Sequence, residues 1–319
     1  MKRIAVLTTG GDAPGMNPAI RSVVRYGIKN GLEVMGVSRG WLGLINEDIK
    51  VMDHRSVSGI INQGGTILKT ARCQDFFLKE GQERAYNTIK KYAIDGLVVI
   101  GGNGSFAAAH AFYKNFKVPS IGIAASIDND VNGIDVTIGA DTAINTALDA
   151  IDKIRDTATS MERIFVVEVM GRDCGFIALT VALAGGCEEV MIPERKIDLE
   201  EICQDIVEGN LKGKISWIIV VAEGAGNAED ICRKITEMTS LETRAVVLGH
   251  VQRGGRPTAF SRDLALNLGK AAVDSLLKGE TDKAVGLCCN KITLVDFETA
   301  IQKKELKIMH MCQLIRDLS

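Results

Sequence analysis

Nowhere does the sequence sustain the roughly 20 consecutive apolar residues of a membrane-crossing helix. The apolar run after Lys2 and Arg3 is cut short at Gly10 and Gly11, before it could serve as a secretion signal. Both absences predict a soluble, cytoplasmic chain with no membrane partner. Aromatic residues are only 5% of the whole and prolines number 5, against 46% hydrophobic residues and 33 glycines. That balance suits an aliphatic α/β protein better than an all-β one. A large excess of one charge is missing too: the formal net charge is -2, which argues against a nucleic-acid partner while leaving room for local basic clusters that hold phosphates. Eight cysteines, at 73, 174, 187, 203, 232, 288, 289 and 312, include no C-x-x-C pair. Most lie in apolar patterns, so core thiols are expected rather than disulfides or zinc ligands.

What is present is alternation. Strand-like runs at 4–8, 32–38, 96–102, 119–124, 163–170, 189–193, 216–224 and 244–251 are separated by helical periodicities. In the stretch 141–156, Ile144, Ala147, Leu148, Ile151 and Ile154 recur at three- and four-residue spacing, one apolar face of a helix. A second helix opens at Asp198, with Glu201 completing a capping-box pattern. Apolar strands joined by helices predict doubly wound, mainly parallel sheets, and 319 residues allow two of them. Ligands of such sheets bind beyond the carboxyl ends of the strands, in the strand-to-helix loops.

Three loops qualify. In TTGGDAPGMNPAIRSVVR (8–25), Gly10 and Gly11 expose backbone N–H groups, Asn17 is placed to cap the next helix and Pro18 suits its first turn. Such a helix end attracts anions. The Gly10–Gly15 spacing is not a Walker A loop, because Met16 and Asn17 stand where Lys and Ser/Thr belong. Arg21 and Arg25, four apart, share a helix face that could grip a phosphate or simply be solvated. The second loop, GGNGSFAA, gives Gly102-x-Gly104-x-x-Ala107, a loose dinucleotide fingerprint that a ligand-free tight turn would also satisfy. The third, IAASIDNDVNG (123–133), presents Ser126, Asp128, Asn129 and Asp130 at a strand end. Its carboxylates could hold Mg²⁺ and take a proton from an attacking hydroxyl; alternatively, Asp128 could bind the ribose of a nicotinamide cofactor. Arg163, Arg172, Arg244, His250 and Arg253, with Glu223, lie near further strand ends. Converging guanidinium groups suit an anionic sugar phosphate.

Taken in order, TTGGDAPGMN, GGTILKTAR, GGNGS, SIDND, VVEVMGRDCG, AGGCE and LGHVQRGG resemble the bacterial ATP-dependent 6-phosphofructokinase family across essentially the entire chain. The resemblance implies a phosphofructokinase fold of two Rossmann-like three-layer lobes with the active site between them. The larger, ATP-binding lobe would take 1–139 plus 252–305, and the smaller, fructose 6-phosphate-binding lobe 140–251 plus 306–319. It implies phosphorylation of fructose 6-phosphate by ATP with Mg²⁺ in glycolysis. Asp128 would be the general base, with Arg72, Ser126 and Arg172 also in the catalytic set. Gly11, Arg72, Cys73, Gly102, Asn103, Gly104 and Ser105 would surround the nucleotide, and Asn103 and Asp130 the metal. Ser126, Asp128, Asp130, Arg163, Met170, Gly171, Arg172, Glu223, Arg244, His250 and Arg253 would hold the sugar phosphate. In the family Arg163 and Arg244 come from a neighbouring subunit, which implies a homotetramer. Arg21, Arg25, Arg155, Glu188, Lys212 and Lys214 match the family's ADP and phosphoenolpyruvate effector site.

Departures from the family pattern carry their own expectations. Asn103 replaces the aspartate of GGDGS, removing a negative charge beside the metal and predicting weaker Mg²⁺ binding and slower turnover. Ala125 replaces glycine before the S-I-D-N-D run, which predicts crowding or strain if the backbone there has positive φ. Trp41 and Cys73 replace aromatics near the nucleotide, and His54, Gly59 and Ile215 replace Arg, Asp and Lys of the effector site. Gly104 and Ala125 stand where pyrophosphate-using relatives carry Asp and Lys, which favours ATP as donor. A regulatory paralogue that binds without transferring, or a kinase for another ketose phosphate, fits the same motifs.

Overall fold

The computed structural model describes residues 1–196, 198–306 and 309–319. The chain divides into two compact units, Met1–Thr142 with Arg253–Glu305 and Ala143–Gln252 with Leu306–Ser319. Strands of the first unit are β1 (Arg3–Thr8), β2 (Glu33–Val37), β3 (Ile49–Met52), β4 (Gly96–Gly101), β5 (Ser120–Ser126) and β6 (Ile138–Gly139). The second contains β7 (Ile164–Val169), β8 (Glu189–Met191), β9 (Trp217–Ala222) and β10 (Thr243–Val247), after which the first is completed by β11 (Lys283–Cys288) and β12 (Lys291–Asp296).

The first sheet runs β12-β11-β5-β4-β1-β2-β3, with β6 paired beside the end of β5. Its centre is parallel, and the edge pairs β2–β3 and β11–β12 are antiparallel. The second sheet, β10-β7-β9-β8, is parallel throughout. Every residue of β4 and of β9 is buried. Helices on both faces leave no polar side, so these strands read as continuous apolar runs rather than alternations. The core of the first unit is closed by aromatics on helices: Phe106 stacks on Phe297 at 5.1 Å, and Trp41 on Phe76 at 4.2 Å. Removing a buried Phe of this kind costs about 3–5 kcal/mol.

All eight expected strands are present within a residue or a few of their expected ends. The helix over 141–156 is also present, as Ala140–Met161, with Ile144, Ala147, Ile151 and Ile154 buried along one face. At Leu199–Leu211 the Asp198 side chain accepts from the Glu201 N–H at 3.1 Å, one half of a capping box, while the Glu201 carboxylate pairs with Arg316 at 2.8 Å. Asn17 is a correction. The helix Met16–Lys29 starts two residues earlier, with Gly15 as its cap. Asn17 lies inside it, donating to the Gln63 and Gly64 carbonyls (3.2 and 3.1 Å) and accepting from the Ile67 N–H at 2.8 Å. Its amide pins a distant loop because that loop's backbone needs partners the helix no longer does.

Five cysteines are buried, as expected, and burial pushes the Cys187 thiol up to about 12 and Cys232 to about 11. Cys289, by contrast, is exposed on the turn between β11 and β12. Among the described residues no helix is long and apolar enough to cross a membrane.

Candidate active site

In the first unit β1, β4 and β5 lie side by side and parallel, so their carboxyl ends open onto one edge. The three loops singled out in the sequence all leave from that edge. Gly11, Asp128 and Arg253 come together there. A Cβ at Gly11 would sit 2.7 Å from the Arg253 guanidinium, so glycine is what allows the close approach. Arg253 Nη1 donates to the Asp12 carbonyl at 3.3 Å, and Nη2 lies 4.0 Å from Asp128 Oδ1. Asp128 is 3% exposed, a nearly dry carboxylate facing a cation.

The loop that carries Asp128 is held from several sides. Ser126 Oγ donates to Asp130 Oδ1 at 3.0 Å and accepts from the Asp128 N–H at 3.3 Å. Asn129, fully buried at φ 53°, donates to the Asp135 carbonyl at 2.8 Å and accepts from the Thr137 N–H at 2.9 Å. Lys304 Nζ donates to the carbonyls of Asn129 and Ile134 at 2.9 and 2.7 Å. Thr137 and Lys304 were not marked by sequence reasoning, and Asn129 was marked there only as a member of the D-N-D run, without this bracing role. Lys304, 175 residues away, left no local signal.

The GGNGS loop opens the helix Asn103–Phe116, whose first N–H groups point out of the helix and favour an anion. Ser105 is buried and spends its hydroxyl proton on the Thr9 carbonyl at 3.0 Å, joining this loop to the end of β1. Arg72 is exposed, Cys73 packs partly buried against the aromatic core, and Trp41 is only 4% exposed within that core, so its ring is not offered to a base. Ala125 lies in β5, outside the positive-φ positions, so its methyl costs no backbone strain.

Asn103 Nδ2 donates to the carbonyl of Asp130 at 3.0 Å and to its Oδ2 at 3.2 Å. The amide is thereby oriented, since an oxygen in that position would face two oxygens. Asn103 Oδ1 is buried and, among the described residues, has no hydrogen-bond partner. An orphaned amide oxygen beside a carboxylate is a hard-oxygen donor set, and it fits Mg²⁺, which keeps several waters and takes one or two protein oxygens.

In the second unit the turn after β7 presents Met170, Gly171 and Arg172, the last at φ 51°. Glu223, just beyond β9, accepts from the Gly171 and Arg172 N–H groups at 3.3 and 2.8 Å. Gln252, which sequence reasoning missed, accepts from the Met170 N–H at 2.8 Å. Gly224 permits this packing, because a Cβ there would lie 1.9 Å from the Arg172 carbonyl oxygen. Arg163 and Arg244 converge on Glu242: Arg163 Nε is 2.9 Å from Glu242 Oε2, and Arg244 pairs with Oε1. These partners, Arg163 foremost, hold the Glu242 carboxyl below its ordinary range. His250 is exposed in the short 3-10 helix Gly249–Arg253.

Of the anion-site residues expected from the sequence, Arg21 and Arg25 line one groove of the first unit with Ser22, Tyr26 and Ile61. Burial, then the charge of Arg25, lowers the pKa of Arg21. In the second unit Arg155 donates to the Gly185 and Gly186 carbonyls at 2.5 and 2.8 Å. Lys214 lies 3.3 Å from Glu188, and Lys212 pairs with Glu208 at 3.5 Å.

Two α/β units with polar and charged residues gathered beyond the carboxyl ends of parallel strands define a ligand-binding doubly wound protein. The same fold occurs in the phosphofructokinase of Saccharomyces cerevisiae, with a TM-score of 0.90 and 36% identity over 94% of this chain and 45% of that one. This chain therefore spans less than half of the yeast chain. A pyrophosphate-dependent phosphofructokinase of Marinobacter aquaeolei shares the fold at 20% identity, with a TM-score of 0.85 over 99% of this chain and 91% of that one. The phosphofructokinase family pattern matches residues 3–276. An ATP-dependent 6-phosphofructokinase of Thermotoga petrophila is 51% identical over 96% of both chains, and one of Clostridium acetobutylicum is 52% identical over 94% of both. The chain belongs to the phosphofructokinase family.

Proposed function

We propose that this chain transfers the γ-phosphoryl group of ATP to the 1-hydroxyl of fructose 6-phosphate, yielding ADP and fructose 1,6-bisphosphate as a step of glycolysis. The observation that carries this reading is the nearly dry Asp128, held by its loop and 4.0 Å from Arg253 beside the glycine turn. The names of the relatives at 51–52% identity support it. Asp128 takes the hydroxyl proton as the sugar oxygen bonds to the γ-phosphorus, and the bond from that phosphorus to the bridging oxygen breaks, leaving ADP. Ser126 and Asp130 orient the loop and the acceptor. Gly11, Arg72, Cys73, Gly102, Asn103, Gly104 and Ser105 surround the nucleotide, with Arg72 and Arg172 neutralising charge on the moving phosphoryl group. Asn103 and Asp130 would hold Mg²⁺, which supplies charge neutralisation on the phosphate tail when bound. Met170, Gly171, Arg172, Glu223, His250 and Arg253 bind the sugar phosphate, joined in a homotetramer by Arg163 and Arg244 of a neighbouring subunit. Arg21, Arg25, Arg155, Glu188, Lys212 and Lys214 form an ADP or phosphoenolpyruvate effector site, and the enzyme works in the cytoplasm.

A coupled assay of the purified chain with ATP, fructose 6-phosphate and Mg²⁺ tests the reading: steady ADP and bisphosphate production is expected. A second reading, a regulatory binder, is favoured by the neutral amide of Asn103, which donates to Asp130 at a place where a carboxylate would add a second charge for the cation. Calorimetry that detects both ligands while the assay detects no product would establish it and overturn the first.

Donor choice has its own test. A Cβ at Gly104 meets no atom within 4 Å, so Gly104→Asp should fold normally. The new carboxylate would repel the nucleotide's phosphates, and kcat/KM for ATP should fall by at least ~10-fold. Unchanged ATP kinetics would place the nucleotide tail elsewhere.

A further inference from the structure

β11 and β12 are joined by a two-residue turn. Cys288 pairs with Lys291 across the ladder, and Cys289 and Asn290 between them have φ of 50° and 58°. This is the geometry of a type I′ hairpin, in which Asn and Gly are the ordinary residues and cysteine is not. The turn holds two neighbouring thiols with their sulfurs 3.9 Å apart. Asp135, from the loop that follows Asp130, is fastened against them. Its N–H donates to the Leu287 carbonyl at 2.8 Å, Val136 bridges to Leu287, and Asp135 Oδ2 accepts from the Cys289 N–H at 2.6 Å. The two sulfurs and a carboxylate oxygen all lie within 4.8 Å of one another.

We propose that Cys288, Cys289 and Asp135 form a site for a thiophilic divalent cation of the zinc class, which clamps the β11–β12 turn to the segment 131–137. Two thiolates on a tetrahedral zinc ion, each bonded at about 2.3 Å, stand ~3.8 Å apart; here they stand 3.9 Å apart before any ion is added. An ordinary disulfide does not suit the pair. Adjacent Cα atoms are about 3.80 Å apart, whereas disulfides span roughly 4.4–6.8 Å. The dithiol therefore remains available as a ligand pair. Asp135 completes three protein ligands and leaves the fourth position to water, and the exposure of Cys289 gives the ion a way in. Thiolates prefer zinc-like ions to Mg²⁺, so this site does not compete for the cation of the nucleotide. The clamp matters because Asp135 also receives the Asn129 amide at 2.8 Å, so an ion here braces the segment that runs on from the catalytic loop.

The test is a cadmium titration of the full chain, its thiols kept reduced by a phosphine, followed by cadmium–thiolate charge-transfer absorption in the ultraviolet. One equivalent is expected, displaced by zinc. Asp135→Asn should weaken uptake by at least ~10-fold. The combined variant Cys288→Ser with Cys289→Asn should lose the equivalent while folding normally, since Asn accepts the positive φ of the turn. Zinc should raise the melting temperature of the parent chain but not of that variant, by the stabilisation that binding to the folded state alone confers. The proposal is overturned if the parent chain gives no charge-transfer band at one equivalent, or if the combined variant keeps the same band, which would assign the ion to another thiol such as Cys73.

Discussion

Asp128→Asn is expected to lower turnover by about 10²–10⁴ while the melting temperature changes little. The amide has nearly the shape of the carboxylate and can keep its place in the loop, but it cannot accept the proton that the sugar hydroxyl must lose. Because Asp128 is 3% exposed, bulk water has poor access to take over that task. Nucleotide affinity should survive, because the Gly11 turn and the GGNGS loop are untouched. A coupled assay reads turnover, a thermal melt reads folding, and calorimetry reads ATP binding. Turnover equal to the parent chain would remove Asp128 from the role of base; loss of folding along with turnover would leave Asp128→Glu to separate the two.

The second large effect is expected of Asn103→Asp, and its sign depends on Mg²⁺. In the parent chain the amide nitrogen donates at 3.0 and 3.2 Å to two oxygens of Asp130. A carboxylate in its place gives up both hydrogen bonds and sets like charges together, so without the cation the variant should be less stable by about 1–3 kcal/mol. With the cation the relation reverses, because two carboxylates then face one ion. Mg²⁺ affinity should rise by ~10-fold or more, which corresponds to about 1.4 kcal/mol per tenfold. A melt with and without Mg²⁺ measures the crossing, and turnover at limiting Mg²⁺ should rise. If Mg²⁺ shifts the melting temperatures of variant and parent equally, Asn103 does not adjoin the metal.

Much of this molecule is legible in the sequence, and the physical reason is burial. β4 and β9 are covered on both faces, so their apolar runs admit few readings, and all eight such runs became strands. The strands not anticipated are the edge strands β3 and β12, the two-residue β6, and β11, which lies between β12 and β5. β12 is largely exposed, so its run KITLVD has no buried face to mark it until the partner strand is known. The site divides in the same way. Glycine turns and the S-I-D-N-D run declare themselves locally, whereas the approach of Arg253 to Gly11 spans 242 positions and is created by the fold alone. Asn17 misled for a related reason. A small amide at a helix start has two possible employers, its own helix or a distant backbone, and the distant loop at 63–67 claimed it.

The order of strands in the larger sheet also sets a timetable for synthesis. β5 hydrogen-bonds on one side to β4, which precedes it, and on the other to β11, which leaves the ribosome only after the whole of the 143–252 insertion. At roughly 5–20 residues per second that interval is on the order of 10 s, during which one flank of β5 presents bare N–H and C=O groups. The nascent chain is therefore most vulnerable to pairing with a stranger while the 143–252 insertion is being made, and Lys304, which ties down the segment after β5, arrives later still than β11.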